Sequence, residues 1–419
     1  MTDKELFLKY NLVPTNNQVK SEKQEIQLYN NEITYNEPSV HKKVLLLLHA
    51  SYQCNLNCIY CENGALRKEY HNAVMSEQMV RDIVRKLGPY LREVTWHGGE
   101  PLVLPEDLIY ALEEEKKKFG YNFDTTLQTN SVLLTDEKIK FLDDLGIQWG
   151  TSFDGITNDI SRGTKSTEAI LDLIKRHPNR VGFINVTIKD TINDLIKNYE
   201  YYKSLDVTSM QQCIVRENVI DETNPYLVNN NEAVEKMLEY INYWIHDTNS
   251  PIRDSYVIRQ ICRLIGDTHL CEDSYCLGGW LIIDPLGNIC CCGQSGIHDG
   301  FININDIDSY KDILNNKKYL SMLNKQRKLV KTCSDCTWYR VCYGACMGLN
   351  YECDHSYQTI SPRNCEYNHR LLDGIYELIK DIDVTRRDVY NPIFLQLLEE
   401  NCYYSLTEIK EIEERLSNG

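Results

Sequence analysis

Short apolar runs alternate with longer amphipathic segments in the half of the chain that follows residue 43. Val44–Ala50 is an almost unbroken apolar run, which predicts a strand buried on both faces. Further strands are predicted at the run that ends at Trp96 and at residues 123–128, 147–153, 181–188 and 210–215. Helix signals separate these strands: Ser76, Thr135 and Ser166 are predicted N-caps, Pro105 opens a helix that Gly120 closes, and residues 192–204 form another.

This order gives about six β-α alternations, which predicts an α/β fold with a parallel sheet and helices outside it. Six such units fit an open barrel or a partial (β/α)6 barrel, in which ligands bind at the carboxyl ends of the strands. The most informative motifs of the sequence lie at or just after predicted strand ends, as this arrangement requires.

Five segments are predicted along the chain. Residues 1–42 are an N-terminal extension, with a small hairpin over Glu25–Tyr35 that turns at Asn30-Asn31. The barrel covers residues 43–230, and 231–270 form a helical linker with helices at 231–247 and 251–266. Residues 271–370 form a cysteine-rich domain with little helical periodicity and a hairpin over Trp280–Cys292. Residues 371–419 end the chain, with helices predicted at 371–380 and 392–400.

Composition narrows the class of protein. The 419 residues are 42% hydrophobic, enough for a core, and the net charge of −16 argues against a nucleic-acid partner. An acidic field would attract a basic peptide, although solubility is the simpler reason for it. Because no apolar run has the length of a membrane span and the N-terminus is polar, we expect a cytoplasmic protein without a membrane partner. In that reducing compartment, the 17 cysteines point to metal or catalytic sites.

Cys54, Cys58 and Cys61 form a C-x3-C-x2-C triplet directly after the first predicted strand. A 4Fe–4S cluster normally takes four thiolates, so three from one loop leave one iron open to a substrate or cofactor. Two alternatives are a loop of ordinary thiols and a zinc site, for which His49 is the nearest fourth ligand.

The octapeptide Cys54-Asn55-Leu56-Asn57-Cys58-Ile59-Tyr60-Cys61 resembles the signature of the radical S-adenosylmethionine (SAM) superfamily. The resemblance implies that these three catalytic cysteines hold a 4Fe–4S cluster and that SAM chelates its fourth iron. One electron then breaks the sulfonium C–S bond of SAM, and the 5′-deoxyadenosyl radical removes a hydrogen atom from the substrate. In this superfamily the residue at the position of Tyr60 lies near the adenine.

Three further segments, in the order expected over roughly residues 43–216, are similar to SAM-site segments of the same superfamily. They are Gly98-Gly99-Glu100-Pro101 for the amino group of SAM, Gln128-Thr129-Asn130 beside the pocket, and Ser152-Phe153-Asp154-Gly155 with Asp159 and Arg162 near the ribose and carboxylate. Asn185, in the fifth strand, is a further candidate. The simpler alternatives are an ordinary turn for the glycine pair and a surface ion pair for Arg162.

A second group of cysteines reads Cys333-x2-Cys336-x5-Cys342-x3-Cys346, with Cys276 and Cys292 before it and Cys365 after it. Zinc knuckles are one alternative. The full spacing resembles the SPASM domain, which implies two auxiliary 4Fe–4S clusters and three clusters in all. By that resemblance, the first auxiliary cluster is held by Cys271, Cys276, Cys292 and Cys346, and the second by Cys333, Cys336, Cys342 and Cys365. If Cys271 is only structural, the first has an open iron; Cys290 and Cys291 adjoin its ligand Cys292, and Cys213, Cys262, Cys353 and Cys402 are predicted to be plain buried thiols.

Radical SAM enzymes with this domain modify peptides or proteins, and the resemblance implies the same here. In sulfatase-maturing members, an Asp that acts as a base immediately follows the position of Cys292. This chain has Gly293 there, followed by Gln294. Asp284, across the predicted hairpin, is either a substitute base or a turn residue. We therefore expect a maturase that forms a thioether or carbon–carbon cross-link in a ribosomally made peptide. The alternatives are sulfatase-type oxidation of Ser or Cys to formylglycine and, in another class, a non-catalytic iron–sulfur or zinc scaffold.

The expected partners follow from the same resemblance. The substrate is a peptide with a leader, and many such maturases carry a winged-helix domain that binds the leader. Because the segment before the barrel is too short for that domain, we expect a separate leader-binding protein. Flavodoxin or ferredoxin is the expected reductant.

Overall fold

The computed structural model describes residues 43–178, 180–216, 224–250, 252–265, 279–291, 300–333, 335–338, 342, 344–346, 359–380, 382 and 386–400. The hairpin predicted over Glu25–Tyr35 lies outside these residues. The chain divides into two compact units, each made of segments distant in sequence. The first unit comprises residues 31–185 and 275–326, and the second comprises residues 1–30, 186–274 and 327–419.

Ten strands are found in the described part of the chain. They are β1 (Val44–His49), β2 (Leu91–His97), β3 (Asp124–Thr129), β4 (Gln148–Ser152), β5 (Gly182–Thr187), β6 (Ser209–Ile214), β7 (Arg253–Asp254), β8 (Trp280–Ile283), β9 (Asn288–Cys290) and β10 (Ile302–Asn303).

Helices alternate with the first six strands and then dominate the rest of the described chain. They are α1 (Gly64–Glu69), α2 (Glu77–Leu87), α3 (Glu106–Phe119), α4 (Asp136–Asp144), α5 (Asn158–Ser161), α6 (Thr164–Arg176), α7 (Leu195–Ser204), α8 (Asn230–His246), α9 (Ser255–Ile265), α10 (Tyr310–Leu314), α11 (Lys317–Lys331), α12 (Pro362–Ile379) and α13 (Pro392–Glu400).

The sheet of the first unit has the strand order β10-β9-β8-β1-β2-β3-β4-β5. Strands β1 to β5 are parallel, and β8 joins the free edge of β1 in the same direction, with Leu45 opposite Trp280. The antiparallel pairs β8–β9 and β9–β10 end the sheet on that side. The predicted hairpin therefore forms over its described part, from Trp280 to Cys290, and it extends the sheet that begins with β1.

Local signals set most of the helices of the first unit. Ser76 caps α2 by accepting a hydrogen bond from the N–H of Met79 at 3.2 Å, and α2 buries Val80, Ile83, Val84 and Leu87, one face of a helix. Gly120 ends α3 with a φ of 67°, in the left-handed region. Glu115 of α3 is 1% exposed, and two arginines of α2 neutralise it: Arg81 at 3.1 Å and Arg85 at 2.6 Å.

Two helix predictions were wrong. Ser166 does not cap α6, which begins at Thr164 after Gly163, because Gly163 has a φ of 93° and turns the chain there; Ser166 is buried inside the helix. The cysteine-rich segment is also more helical than expected, since it contains α11, whose lysine-rich sequence hides its periodicity. The helix predicted from residue 371 begins earlier, at Pro362, where Ser361 accepts a hydrogen bond from the N–H of Asn364.

The second unit contains the parallel pair β6–β7 and a packed pair of helices, α8 and α12. Helix α12 approaches α8 closely at Gly374, where an added Cβ would lie 2.3 Å from a methyl carbon of Leu238. Asp254, fully buried, accepts hydrogen bonds from the hydroxyl of Tyr240 at 2.7 Å and the N–H of Tyr256 at 2.9 Å. Within the described residues of the whole chain, no helix is both long and apolar enough to cross a membrane.

Candidate active site

The cysteine triplet lies in the loop that follows β1 in the first unit. Cys54, Cys58 and Cys61 are half-buried thiols, near enough to influence each other electrostatically. Burial raises the pKa of Cys58 and of Cys61, and the Arg162 guanidinium opposes the shift at Cys58. The N–H of Leu56 donates to the Cys54 sulfur at 3.4 Å. The loop therefore presents three thiols close together, and burial opposes the ionisation of two of them, Cys58 and Cys61.

Two side chains that sequence reasoning missed brace this loop. Arg67 of α1 donates to the carbonyl of Leu56 and to the Asn57 side chain, both at 2.7 Å. Asn63 donates to the carbonyl of Gly98 at 2.8 Å. Both follow the last cysteine by a few residues, and that proximity to the motif was the only signal in the sequence.

The glycine pair after β2 packs directly on the cysteine loop. The N–H of Gly99 donates to the carbonyl of Ser51 at 2.9 Å, and that of Glu100 donates to the carbonyl of Gln53 at 2.7 Å. A Cβ added to Gly99 would lie 2.0 Å from the Gln53 oxygen, and one added to Gly98 would lie 2.7 Å from the Ser51 oxygen. The pair is thus more than an ordinary turn, because only glycine allows this backbone contact.

Glu100 joins the glycine pair to the segment after β3. Its carboxylate accepts hydrogen bonds from the N–H of Leu102 at 3.0 Å, the hydroxyl of Thr129 at 2.8 Å and the N–H of Asn130 at 2.7 Å. Burial raises the pKa of Glu100, and these hydrogen bonds oppose the shift. Asn130 in turn donates to Asn55 at 2.7 Å, and its amide nitrogen lies 3.7 Å from the Cys54 sulfur. Two predicted SAM-site segments therefore meet at the first cysteine.

The segment after β4 meets the cysteine loop at Tyr60. Asp154 is fully buried and accepts hydrogen bonds from Tyr60 at 2.7 Å, from the Arg162 Nε at 3.0 Å and from the Ser161 hydroxyl. The Arg162 guanidinium lies 5.4 Å from the centre of the Tyr60 ring. Burial alone would lower the pKa of Arg162, but Asp154 raises it overall. Arg162 is only 8% exposed, so it forms a buried ion pair and not the surface pair that was the simpler alternative.

Of the remaining predicted SAM-site residues, Gln128, Ser152 and Asn185 lie in neighbouring strands, and Asp159 lies in the short helix α5. Gln128 donates to the Ser152 hydroxyl at 3.0 Å, and Gly150 leaves room for the Gln128 side chain. Asn185 is fully buried and its amide lies 3.4 Å from the carbonyl of Phe153. Asp159 is exposed and accepts a hydrogen bond from Thr167.

The five described cysteines of the second group lie in the second unit. Burial raises the pKa of Cys333 to about 12, and the thiols of Cys342, Cys336 and Cys365 contribute. Cys342 and Cys365 are likewise influenced by Cys336. The carbonyl of Cys346 accepts a hydrogen bond from Asn364 at 3.2 Å. The four cysteines predicted to share one auxiliary cluster are therefore electrostatic neighbours, although Cys365 lies far from the others in sequence.

Other predicted residues have more modest positions, or fall outside the described chain. Asp284 accepts hydrogen bonds from the N–H groups of Leu286 and Asn288 at 2.9 and 2.8 Å and from the Asn288 amide at 2.9 Å, which makes it the turn residue of the hairpin. Cys262, Cys290 and Cys291 are buried, whereas Cys213 is half-buried. Outside the described residues lie Cys271, Cys276, Cys292, Gly293, Gln294, Cys353 and Cys402.

The cysteine loop fits a 4Fe–4S cluster by its donors, since three thiols from one loop leave one iron for a cofactor. Asn130 and the Tyr60–Asp154–Arg162 cluster stand beside those thiols and offer polar groups to it. In the described ranges, no group of three or more His, Cys, Asp or Glu side chains is gathered so that it could hold a metal ion. The fit therefore rests on donor chemistry and on the segments that meet at the loop.

The fold and this site define the class of protein: an α/β protein in which a cysteine loop follows the first strand of a mostly parallel sheet. Residues 49–201 match the family model described as the Radical SAM superfamily, so this part of the chain carries a radical SAM domain, as its motifs predicted, and the chain is an enzyme.

Three known proteins show how far the similarity extends. The chain is 23% identical over 349 residues to a cysteine-type anaerobic sulfatase-maturating enzyme of Clostridium perfringens, covering 74% of this chain and 93% of that enzyme. The solved structure of anSMEcpe with bound AdoMet and Cp18Cys peptide is similar with a TM-score of 0.68 at 20% identity, covering 80% of this chain and 98% of that one. Streptococcus suis SuiB bound to precursor peptide SuiA has a TM-score of 0.58 at 16% identity, covering 81% and 78%. Together with the observed sheet, these similarities confirm the predicted α/β fold with a mostly parallel sheet.

Proposed function

We propose that this chain uses SAM to remove a hydrogen atom from a side chain of a peptide or protein, and that the product is an oxidised cysteine or serine of the formylglycine type. The similarity to sulfatase-maturating enzymes along most of the chain supports this product. It reverses the order of the two products expected from the sequence, where the cross-link came first. The observation that carries the proposal is the meeting of three SAM-site segments at one cysteine loop.

In this proposal Cys54, Cys58 and Cys61 would hold a 4Fe–4S cluster, which would supply the electron for SAM cleavage. The other SAM-site residues bind or orient the cofactor: Tyr60, Gly98, Gly99, Glu100, Gln128, Asn130, Ser152, Asp154, Arg162 and Asn185. Asp154 fixes both Tyr60 and Arg162, so the aromatic ring and the cation are set before the cofactor arrives. Glu100 acts indirectly, since its carboxylate holds the backbone of Asn130.

We further propose two auxiliary 4Fe–4S clusters in a SPASM-type domain. The electrostatic grouping of Cys333, Cys336, Cys342 and Cys365 supports the second of them. The first would take Cys346 from the described residues, together with Cys271, Cys276 and Cys292. A leader-binding protein and a flavodoxin or ferredoxin reductant remain proposals of the same kind.

A thioether or carbon–carbon cross-link is the second candidate product. Gly293 occupies the position at which sulfatase-maturing members have an Asp that acts as a base. Asp284 accepts the hydrogen bonds of a turn, so neither residue supplies that base. The similarity to SuiB, solved with a precursor peptide, is in line with this candidate.

The test is anaerobic turnover of the reconstituted enzyme with SAM, reductant and either the Cp18Cys peptide or a peptide encoded beside the gene. We expect 5′-deoxyadenosine, which a non-catalytic scaffold would not release. An aldehyde trapped by a hydrazine probe, with normal fragmentation around it, supports oxidation. Suppressed backbone fragments between two residues, without an aldehyde, would establish the cross-link. Intact mass does not separate a cross-link from oxidised serine, because both lose two hydrogens.

A further inference from the structure

Two histidines stand side by side at the carboxyl ends of β1 and β2. His49 and His97 are register partners in these parallel strands, and their rings stack with centroids 5.4 Å apart and planes 27° apart. Because side chains alternate along a strand, His97 shares its face of β2 with Thr95 and Glu93. The Thr126 hydroxyl of β3 donates to the Glu93 carboxylate at 2.9 Å and lies 2.8 Å from the Thr95 hydroxyl. The histidine pair therefore ends a polar face of the sheet.

The same pair lies directly behind the cysteine loop. A Cβ added to Gly98 would lie 3.1 Å from the His49 Cβ, so His49 stands against the glycine pair that packs on that loop. Tyr52, in the loop itself, meets the His49 ring edge-on with centroids 5.7 Å apart. Glu62, next to Cys61, is close enough to His97 to oppose the effect of burial on its pKa. The imidazoles thus belong to the site where the SAM segments converge.

His49 is buried and His97 is half-buried, and each ring has one buried nitrogen that no described residue satisfies. These atoms are Nε2 of His49 and Nδ1 of His97. Burial lowers the pKa of His49 to about 3, with a contribution from His97, and burial also lowers the pKa of His97. A buried polar atom without a partner costs free energy, so such atoms in a folded protein call for an explanation. Two of them together, at strand ends where ligands bind in this fold, point to a ligand.

We propose that the His49–His97 pair anchors the reacting side chain of the substrate by hydrogen bonds to its hydroxyl or thiol group. A neutral imidazole offers one donor and one acceptor nitrogen, which suits an O–H or S–H group that both donates and accepts. The anchor would fix the β-carbon of the substrate relative to SAM, and it would select cysteine or serine over an apolar residue. This assignment rests on the proposed function, and it provides a polar contact that neither Gly293 nor Asp284 supplies.

The test is a double-mutant cycle between the enzyme and the peptide, read as affinity and therefore independent of turnover. The probes are fluorescent Cp18Cys peptide and the same peptide with the target cysteine replaced by serine or alanine. Three reconstituted proteins are compared in the presence of SAM: wild type, His49→Phe and His97→Phe. Each phenylalanine variant keeps a stacking ring but loses the ring nitrogens. His71→Phe is the control, because His71 is an exposed histidine of the same unit. His49→Gln and His97→Asn restore an amide near the lost nitrogen.

Wild type is expected to bind the cysteine and serine peptides roughly five- to tenfold more tightly than the alanine peptide, as for one neutral hydrogen bond. In both phenylalanine variants that preference should fall to about one, with affinity for the alanine peptide unchanged. The amide variants should regain part of it, and His71→Phe should match wild type. Equal losses on all three peptides would mean a purely structural pair and overturn the anchor alone. If wild type binds none of them, the substrate class fails, and the proposed function fails with it.

Discussion

Gly99→Ala tests whether the glycine pair positions the cysteine loop. The added Cβ would lie 2.0 Å from the Gln53 carbonyl oxygen and 2.7 Å from the carbonyl carbons of Gln53 and Tyr52, all of them backbone atoms. Real Cβ atoms hardly ever come within 3.0 Å of another heavy atom, so the loop must move by roughly an ångström. No side chain can rotate to absorb this contact.

The cost follows from the bonds that the shift disturbs. Two hydrogen bonds join the segments, at 2.9 and 2.7 Å, and each is worth about 1 kcal/mol. Overpacking adds about 1–3 kcal/mol, so the free energy of unfolding should fall by about 3–5 kcal/mol. For a unit of this size, that loss lowers Tm by about 6–20 °C.

The assay is thermal unfolding of the reconstituted protein, combined with iron content and 5′-deoxyadenosine release. Gly64→Ala is the matched control, because Gly64 begins α1 next to the same loop and has no atom within 4 Å of an added Cβ. The control should change the free energy of unfolding by less than about 1 kcal/mol, and it should keep the iron content and the 5′-deoxyadenosine release of wild type. A Gly99→Ala protein with the Tm and iron content of wild type would refute the reasoning.

Three further predictions concern the cysteines and the buried ion pair. Replacing the three loop cysteines by Ala should abolish reductive SAM cleavage. The double variant Cys333→Ala with Cys336→Ala should keep some SAM cleavage but lose the peptide product. Full product formation by this double variant would show that the auxiliary clusters are dispensable. Reconstituted wild type should hold about twelve irons per chain and that double variant about eight; iron for one cluster only, with stoichiometric zinc, would contradict the auxiliary assignment. Asp154→Asn leaves the buried Arg162 without its counter-charge and should cost about 3–5 kcal/mol in denaturant unfolding, against less than about 0.5 kcal/mol for the exposed Asp159→Asn. Equal midpoints for those two variants would show that the ion pair is not important for stability.

Elements with strong local signals were predictable from the sequence. The start of α2 and the end of α3 follow from Ser76 and Gly120, whose capping roles depend only on their immediate neighbours. The start of α6 was missed because Gly163, and not the better capping residue Ser166, turns the chain. The pairing of β8 with β1 was missed for a different reason, since no local pattern encodes a contact between such distant segments.

In the candidate site, too, local features were predictable and contacts between distant segments were not. The motifs identified which segments meet, but not what each side chain does there. Glu100 holds Asn130, Gly99 admits the Gln53 backbone, and Arg67 braces the cysteine loop, and each of these roles depends on a partner from another part of the chain. His49 was noted only as a zinc ligand, because its register with His97 exists only once β1 and β2 pair.

The position of β8 beside β1 has a consequence for biosynthesis. β1 is the apolar sequence VLLLLH, and β8 covers one of its edges. The ribosome reaches β8 roughly 230 residues after β1, a delay on the order of 10–50 s at ordinary rates of translation. During that time the leucine-rich edge of β1 that β8 will cover has no strand beside it, and such an edge can pair with other chains. Nascent chains halted before residue 280 should therefore aggregate or recruit chaperones, whereas those halted after residue 303 should not.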